Sequence, residues 1–498
     1  MATQAQHLLT LANRSYRPCQ SLLALSTSLA TSFSHVKTCN SPNYSTLAHD
    51  PPIQHFVSKI TTLPNGLRVA TESCFASNTA SVGVWIDAGS GIESLKTSGT
   101  GFFLKRMLVK GTERRTQRQL EEEIKTLGGH VRADSNRDYT YYCAKVTDKD
   151  VPKALDIISD IVQYPKLKKR KIESARHEIL KYMKEQEEET ERAIFDHLQA
   201  TAFPDSPIGR TPYGPAENVK TITKKDLLNY MSSHYTASRM VIVACGAVKH
   251  EEIVEQVKSL FTKLPEGSTT TSKLAANDKT IFKPSEVRIY DDNVPLAHFM
   301  VAFNGPSCTE LDLIITLDVM GILIGDYSKS SGSSEQTSSA LVDRLGISDI
   351  AEEMRTFTDY HRDAGLFGVY AAAKPDCLDV LAHSIMYAVI QLCYKVSEDD
   401  VVQARNKLKS LIKCPKHDSV DDWIDATDNT GYQVLHYGRR LSYRQLRAWI
   451  DAVDADTVKR VANRFIFDKD VAIAAIGPIQ DLPNYDWFRR RTCSWNKN

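Results

Sequence analysis

The chain repeats itself, at a spacing that restricts it to a fold built from two similar halves. Gly209-Arg210, Asp226, His234-Tyr235 and the run Met240-Val-Ile-Val-Ala-Cys-Gly246 return in the same order as Gly438-Arg439, Asp456, Arg464-Phe465 and Val471-Ala-Ile-Ala-Ala-Ile-Gly477. The offset holds between 229 and 231 residues. A second echo pairs Val82-Gly-Val-Trp-Ile-Asp-Ala-Gly-Ser90 with Phe299-Met-Val-Ala-Phe-Asn-Gly-Pro-Ser307. Solenoid units run from about 20 to 50 residues, so this period describes duplicated domains. The halves are placed at 55–265 and 285–490. Residues 266–284, with Gly267-Ser-Thr-Thr-Thr-Ser-Lys273, have the composition of a flexible linker.

Each half alternates strand and helix signals. Ser81 to Ala88 is a β-branched apolar run ended by Gly89-Ser90-Gly91, and it predicts a strand. Gln117 to Leu127 sets Leu120, Ile124 and Leu127 on one helical face before Gly128-Gly129. Asp138 to Val146 reads as an aromatic-rich strand. Val151, Leu155, Ile158 and Val162 have helical spacing, and one long charged helix is expected from about Lys168 to Leu198. The expected class is α+β: two homologous α/β-sandwich halves joined by the linker and enclosing a cleft.

Composition excludes several functions. The chain has 498 residues, with 62 basic and 61 acidic side chains, a balance unlike that of a dedicated nucleic-acid binder. The longest clean apolar run, Met240 to Val248, is far short of the ~18 residues of a membrane span. The ten cysteines include no CxxC pair, so neither a zinc ribbon nor a redox motif is encoded. Residues 1–49 stand apart. They carry Arg14, Arg17 and Lys37, eight serines, six threonines and no acidic residue, the composition of an organellar transit peptide. Without it, 59 basic residues face 61 acidic ones, near −2. Ser328 to Ser339 is a loop by composition and receives no chemistry. Pro415 would break any helix that ran through it.

Asn65-Gly-Leu-Arg-Val69, Val82 to Ser90, Lys110-Gly-Thr112, Thr126-Leu-Gly-Gly-His130 and Ala200-Thr-Ala-Phe203 carry a family resemblance. It continues through Ser233-His-Tyr235, Asp363 to Tyr370, Tyr437-Gly-Arg-Arg440 and Ile476-Gly-Pro-Ile479. These segments resemble the pitrilysin-type, inverted-motif zinc peptidases, within them the mitochondrial processing peptidase β subunits and the related core subunits of respiratory complex III. The resemblance spans nearly everything after residue 55 and implies a mitochondrial location, in the matrix or on the matrix side of the inner membrane. It also implies a partner: a processing-peptidase α subunit or a complex III core subunit, with presequence peptides as the family's substrate. Any membrane association would be indirect, through complex III.

The resemblance also implies where chemistry should sit. In the family an H-x-x-E-H motif on a helix supplies two zinc ligands and the general base, and a distal glutamate supplies the third ligand. Residues at i and i+4 share a helix face, which is why that spacing holds a metal. Here the matching segment is Gly101-Phe-Phe-Leu-Lys-Arg-Met107. Phe102 and Arg106 occupy the histidine positions, Lys105 the base, and Tyr182, 76 residues after Arg106, the distal glutamate. No two of the 14 histidines lie closer than His49 and His55, so no local histidine pair replaces the motif. His177-Glu178 and His250-Glu251 are the only His–Glu neighbours and read as solvated surface charge. Each cation about 5 Å from Zn²⁺ would oppose it by roughly 6 kcal/mol at an effective dielectric near 20. No metal and no cofactor is therefore expected, although the family uses zinc.

Family positions that hold the presequence arginine fall on Arg192 and Asp196, and an asparagine of the substrate-pairing edge strand falls on Arg132. Asp196 alone is a weak substrate-binding position and reads better as a surface or capping carboxylate. Three functions remain: a non-catalytic structural subunit, a degenerate paralogue that holds presequences without cutting them, and an active zinc endopeptidase with unrecognised ligands. The first is preferred.

Overall fold

The computed structural model describes residues 57–74, 77–128, 130–265, 280–329, 347–412 and 422–493. The segment expected to be a transit peptide, most of the expected linker, most of the serine-rich stretch and Pro415 lie outside the described residues. Two six-stranded sheets organise the rest. The first comprises β1 (Val57–Thr62), β2 (Arg68–Ser73), β3 (Thr79–Ile86), β4 (His130–Ser135), β5 (Thr140–Thr147) and β6 (Met240–Gly246), in the order β1-β2-β6-β3-β5-β4. The second comprises β7 (Ser285–Tyr290), β8 (Ala297–Gly305), β9 (Tyr327–Ser328), β10 (Ala351–Tyr360), β11 (Gly365–Ala373) and β12 (Ala472–Gly477), in the order β7-β12-β8-β11-β10-β9.

The duplication has a structural counterpart. β2 runs parallel to β6, which pairs antiparallel with β3; β7 runs parallel to β12, which pairs antiparallel with β8. The apolar runs that repeat in the sequence are these equivalent strands. They lack hydrophobic–polar alternation because both faces of each sheet are covered, and β6 and β12 are buried along their whole length.

One face of the first sheet carries helices of its own half, α1 (Thr100–Leu108), α2 (Gln117–Thr126), α3 (Val151–Gln163) and α4 (Lys169–Glu188). The second sheet is covered likewise by α6 (Leu311–Ile324), α7 (Leu378–Gln391) and α8 (Glu398–Leu411). The remaining faces are closed by exchange. α5 (Thr190–Ala202) leaves the first half and packs Ile194, Phe195, Leu198 and Ala202 against Met300, Leu366, Ala474 and Ile476 of the second sheet. In return α9 (Asp422–Tyr437) packs Trp423, Ile424, Ala426 and Val434 on Trp85, Val241, Val243 and Cys245 of the first.

That exchange corrects one expectation. The helix foreseen from Lys168 to Leu198 is two helices, broken at Glu189, whose backbone is extended (φ −86°, ψ 97°). Gln186 to Thr190 offers no Gly or Pro to stop a helix. The break is imposed by tertiary packing, since α5 must turn toward the other half's sheet.

Candidate functional site

The positions matching the metal motif lie on α1, whose start is fixed from outside the helix. Gly99 precedes it in a left-handed conformation (φ +92°), where a Cβ would meet the Tyr213 carbonyl at 2.4 Å. The Gly99 and Gly101 amides donate to the two carboxylate oxygens of buried Glu93, each at 2.7 Å. Burial pushes the Glu93 carboxyl up to about 8, against those two amides and the Arg210 charge.

Phe102, Lys105 and Arg106, at i, i+3 and i+4, share one face of α1 and all are buried. Tyr182 comes from α4. Its ring stacks on Phe102 at 5.6 Å between centroids and 24° between planes. Tyr213 meets both rings edge-on, each at 6.1 Å. The cations lie over this aromatic cluster. Lys105 Nζ is 4.1 Å from the Phe102 centroid, and the Arg106 guanidinium is 5.5 Å from Phe102 and 5.2 Å from Tyr182. Arg192, from α5, lies 5.9 Å from Tyr182. Lys105 also donates to Asp134 Oδ1 on edge strand β4, at 3.0 Å. The four sequence-predicted positions therefore do converge.

The donor set does not fit zinc. Two of the four side chains are cations and one is a hydrocarbon ring. The only donor oxygen among them, the Tyr182 hydroxyl, is pushed further toward its neutral form by burial. Among the described residues no group of three or more His, Cys, Asp or Glu side chains is placed to hold a metal ion.

Burial pushes the Lys105 ammonium down to about 8, with Arg106 and Arg192 adding repulsion and Asp134 opposing it. A base whose folded pKa lies below its unfolded value binds fewer protons folded than unfolded between the two. Stability should therefore rise with pH between about 8 and 10.5, by about 3 kcal/mol in all. Lys105→Met should remove that rise and raise the urea midpoint at pH 7. Parallel slopes for variant and parent across this window would contradict it.

Asp196 is neither a surface nor a capping carboxylate. It is buried, with Oδ1 receiving Arg137 Nη2 at 2.9 Å and Oδ2 the Tyr213 hydroxyl at 3.0 Å. Both of its oxygens are engaged within the fold. Arg132 is half-buried on β4, opposite Cys143. His177 is exposed, as expected of surface charge, but His250 is not. The residue is 8% exposed, and its ring lies between the Thr61 and Thr71 hydroxyls at 2.7 and 2.9 Å. Tyr213, Asp134 and Glu93 were missed from the sequence. Asp134, two residues after Arg132 on the same strand face, was within reach of strand periodicity. Nothing local marks Tyr213.

Comparison with known proteins agrees with the two-half architecture. The Insulinase family, Peptidase family M16, matches residues 68–216, and the Peptidase M16 inactive domain matches residues 221–408. The "Probable mitochondrial-processing peptidase subunit beta" of Arabidopsis thaliana is 52% identical over 457 residues, 92% of this chain and 85% of that protein. The mitochondrial-processing peptidase subunit beta of Neurospora crassa is 39% identical over 87% of this chain and 90% of its own, and that of Homo sapiens 36% over 88% of each. A chain of the Candida albicans complex III2 structure with Inz-5 bound superposes with a TM-score of 0.75 at 22% identity, covering 88% of this chain and all of that one, which shows the fold. With sequence identity sustained across both halves, the chain belongs to the mitochondrial-processing peptidase subunit beta family of M16 peptidases.

Proposed function

We propose that this chain is a non-catalytic structural subunit of the processing-peptidase type. It would work in mitochondria, in the matrix or on the matrix face of the inner membrane, paired with an α-type subunit or with a complex III core partner. Residues 1–49 would direct import, residues 55–265 and 285–490 would form the two halves, and residues 266–284 would join them. No zinc is required in this role.

The observation that carries the reading is the replacement of every metal-ligand and base position by Phe102, Lys105, Arg106 and Tyr182, packed as an aromatic–cation cluster. Holding presequences without cutting them is the weaker reading, because Arg192 and Arg132 would repel a basic peptide and Asp196 already binds Arg137. Among the described residues no helix is long and apolar enough to cross a membrane, so the proposed membrane association is through the partner.

Two experiments test the proposal. Mixed with a processing-peptidase α subunit, the chain should cleave no presequence peptide above background; cleavage would overturn the non-catalytic role. Tagged chain from its own tissue should migrate on a native gel with an α subunit or with complex III. A soluble monomer without either partner would overturn the structural role.

A further inference from the structure

The junction between the halves contains a second buried charge cluster, far in sequence from the α1 positions. Asp138, just before β5, belongs to the first half, and Asp359, near the end of β10, to the second. The imidazole of His361 lies between them, its Nδ1 2.8 Å from Asp138 Oδ2 and its Nε2 3.1 Å from Asp359 Oδ2. His361 and Asp359 are each 1% exposed and Asp138 8%.

Hydrogen-bond chemistry restricts the protonation of this arrangement. An ionised carboxylate only accepts, so with both carboxylates ionised the ring between them carries hydrogen on both nitrogens, which makes it an imidazolium. Asp359 Oδ2 also accepts from the Gln199 side-chain amide, so it already acts as an acceptor. Gln199 lies on α5, the first-half helix seated on the second sheet. One carboxylate oxygen thus ties the exchanged helix and the histidine together.

The surroundings agree in sign. Burial pulls the His361 ring toward neutrality, but Asp359 and Asp138 prevail and push it up to about 10. Arg362, adjacent in the chain, pairs with Asp87 of the first half and also acts on Asp138. The Cys308 amide donates to the His361 carbonyl at 2.7 Å, and burial pushes its thiol up to about 12. His436, 4.0 Å from that thiol, is held below its ordinary value by burial. Of the two histidines at this junction, one is pushed toward its charged form and the other toward its neutral form.

We propose that His361 is a permanently protonated latch, bonded at once to Asp138 of one half and Asp359 of the other, that holds the halves at one fixed angle. The latch is independent of whether the α1 site has any chemistry. The fixed angle it imposes would suit a scaffold better than a chain whose halves must move around a substrate.

The test uses the full chain with nitrogen-labelled histidine, followed by NMR from about pH 5 to about pH 9. One ring should keep imidazolium shifts at both nitrogens throughout, and Asp138→Asn, which removes one carboxylate charge, should make that same ring titrate within the range. His361→Gln should remove the signal and speed hydrogen exchange in α5 and α9 by roughly tenfold while leaving β3 and β11 unchanged. A spectrum in which every ring titrates near its ordinary value would overturn the proposal without recourse to any variant. Exchange in His361→Gln that is unchanged, or raised equally everywhere, would likewise refute the latch.

Discussion

Trp85→Ala is expected to lower the stability of the chain by about 4 kcal/mol and to loosen α9 before anything else. Trp85 is fully buried at the seam where the second half's helix lies on the first half's sheet. Its ring stacks on Tyr141 at 5.5 Å, and its indole N–H donates to Asp428 Oδ1 at 3.1 Å. The α9 backbone presses on the ring so closely that a Cβ on Gly431 would come within 2.3 Å of it. Removing the indole therefore leaves a large void, and it deprives a buried carboxylate of a donor, a cost of about 1–3 kcal/mol within the total. Trp85→Phe should recover most of the packing and lose chiefly the hydrogen bond. Urea unfolding gives the magnitude, and hydrogen exchange over Asp422–Tyr437 gives the location. A loss below about 1 kcal/mol would mean that the exchanged helix contributes little to holding the halves together.

Restoring the four motif positions is expected to produce the second large effect. The combined variant Phe102→His, Lys105→Glu, Arg106→His, Tyr182→Glu should bind zinc and melt higher in its presence. Phe102, Lys105 and Arg106 share one face of α1, and Tyr182 on α4 stacks against that face, so the backbone already brings the four side chains together. The substitutions also remove two buried cations and supply two imidazoles and two carboxylates. A ligand that binds only the folded state stabilises by mass action, about 4 kcal/mol at a thousand times its dissociation constant. Turnover does not follow from metal binding, because Arg192 and Arg132 remain. The measurement is a thermal scan of metal-free variant with and without zinc. No zinc-dependent shift would show that α1 and α4 no longer hold ligand geometry.

What the sequence revealed and what it hid divide along contact range. The duplicated strands were legible because β6 and β12 are both interior strands, each between a parallel and an antiparallel neighbour, and need the same unbroken apolar run. The motif positions were placed by the family resemblance, which sets three of them at i, i+3 and i+4 of one helix and the fourth 76 residues further on. The exchange of α5 and α9 was not, since each helix finds its sheet across the junction and its apolar stripe looks like that of any packed helix. The break at Glu189 follows from the same exchange, in a segment that is helical by propensity. Asp196 was misjudged because Arg137 lies 59 residues away in the chain. His250 was misjudged because the threonines that flank it are 179 and 189 residues distant, and a charged neighbour, Glu251, made it look solvated. Local patterns report which faces are buried. They do not report what a buried polar group will meet there.

The most direct measurement is the zinc content of the purified, unaltered chain, by elemental analysis after dialysis, with a thermal scan run with and without chelator. Lys105 and Arg106 over the Phe102–Tyr182 stack predict far less than one zinc per chain and a melting temperature that chelator leaves unmoved. Stoichiometric zinc that survives dialysis, with a chelator-sensitive transition, would contradict the non-catalytic assignment and restore the peptidase reading.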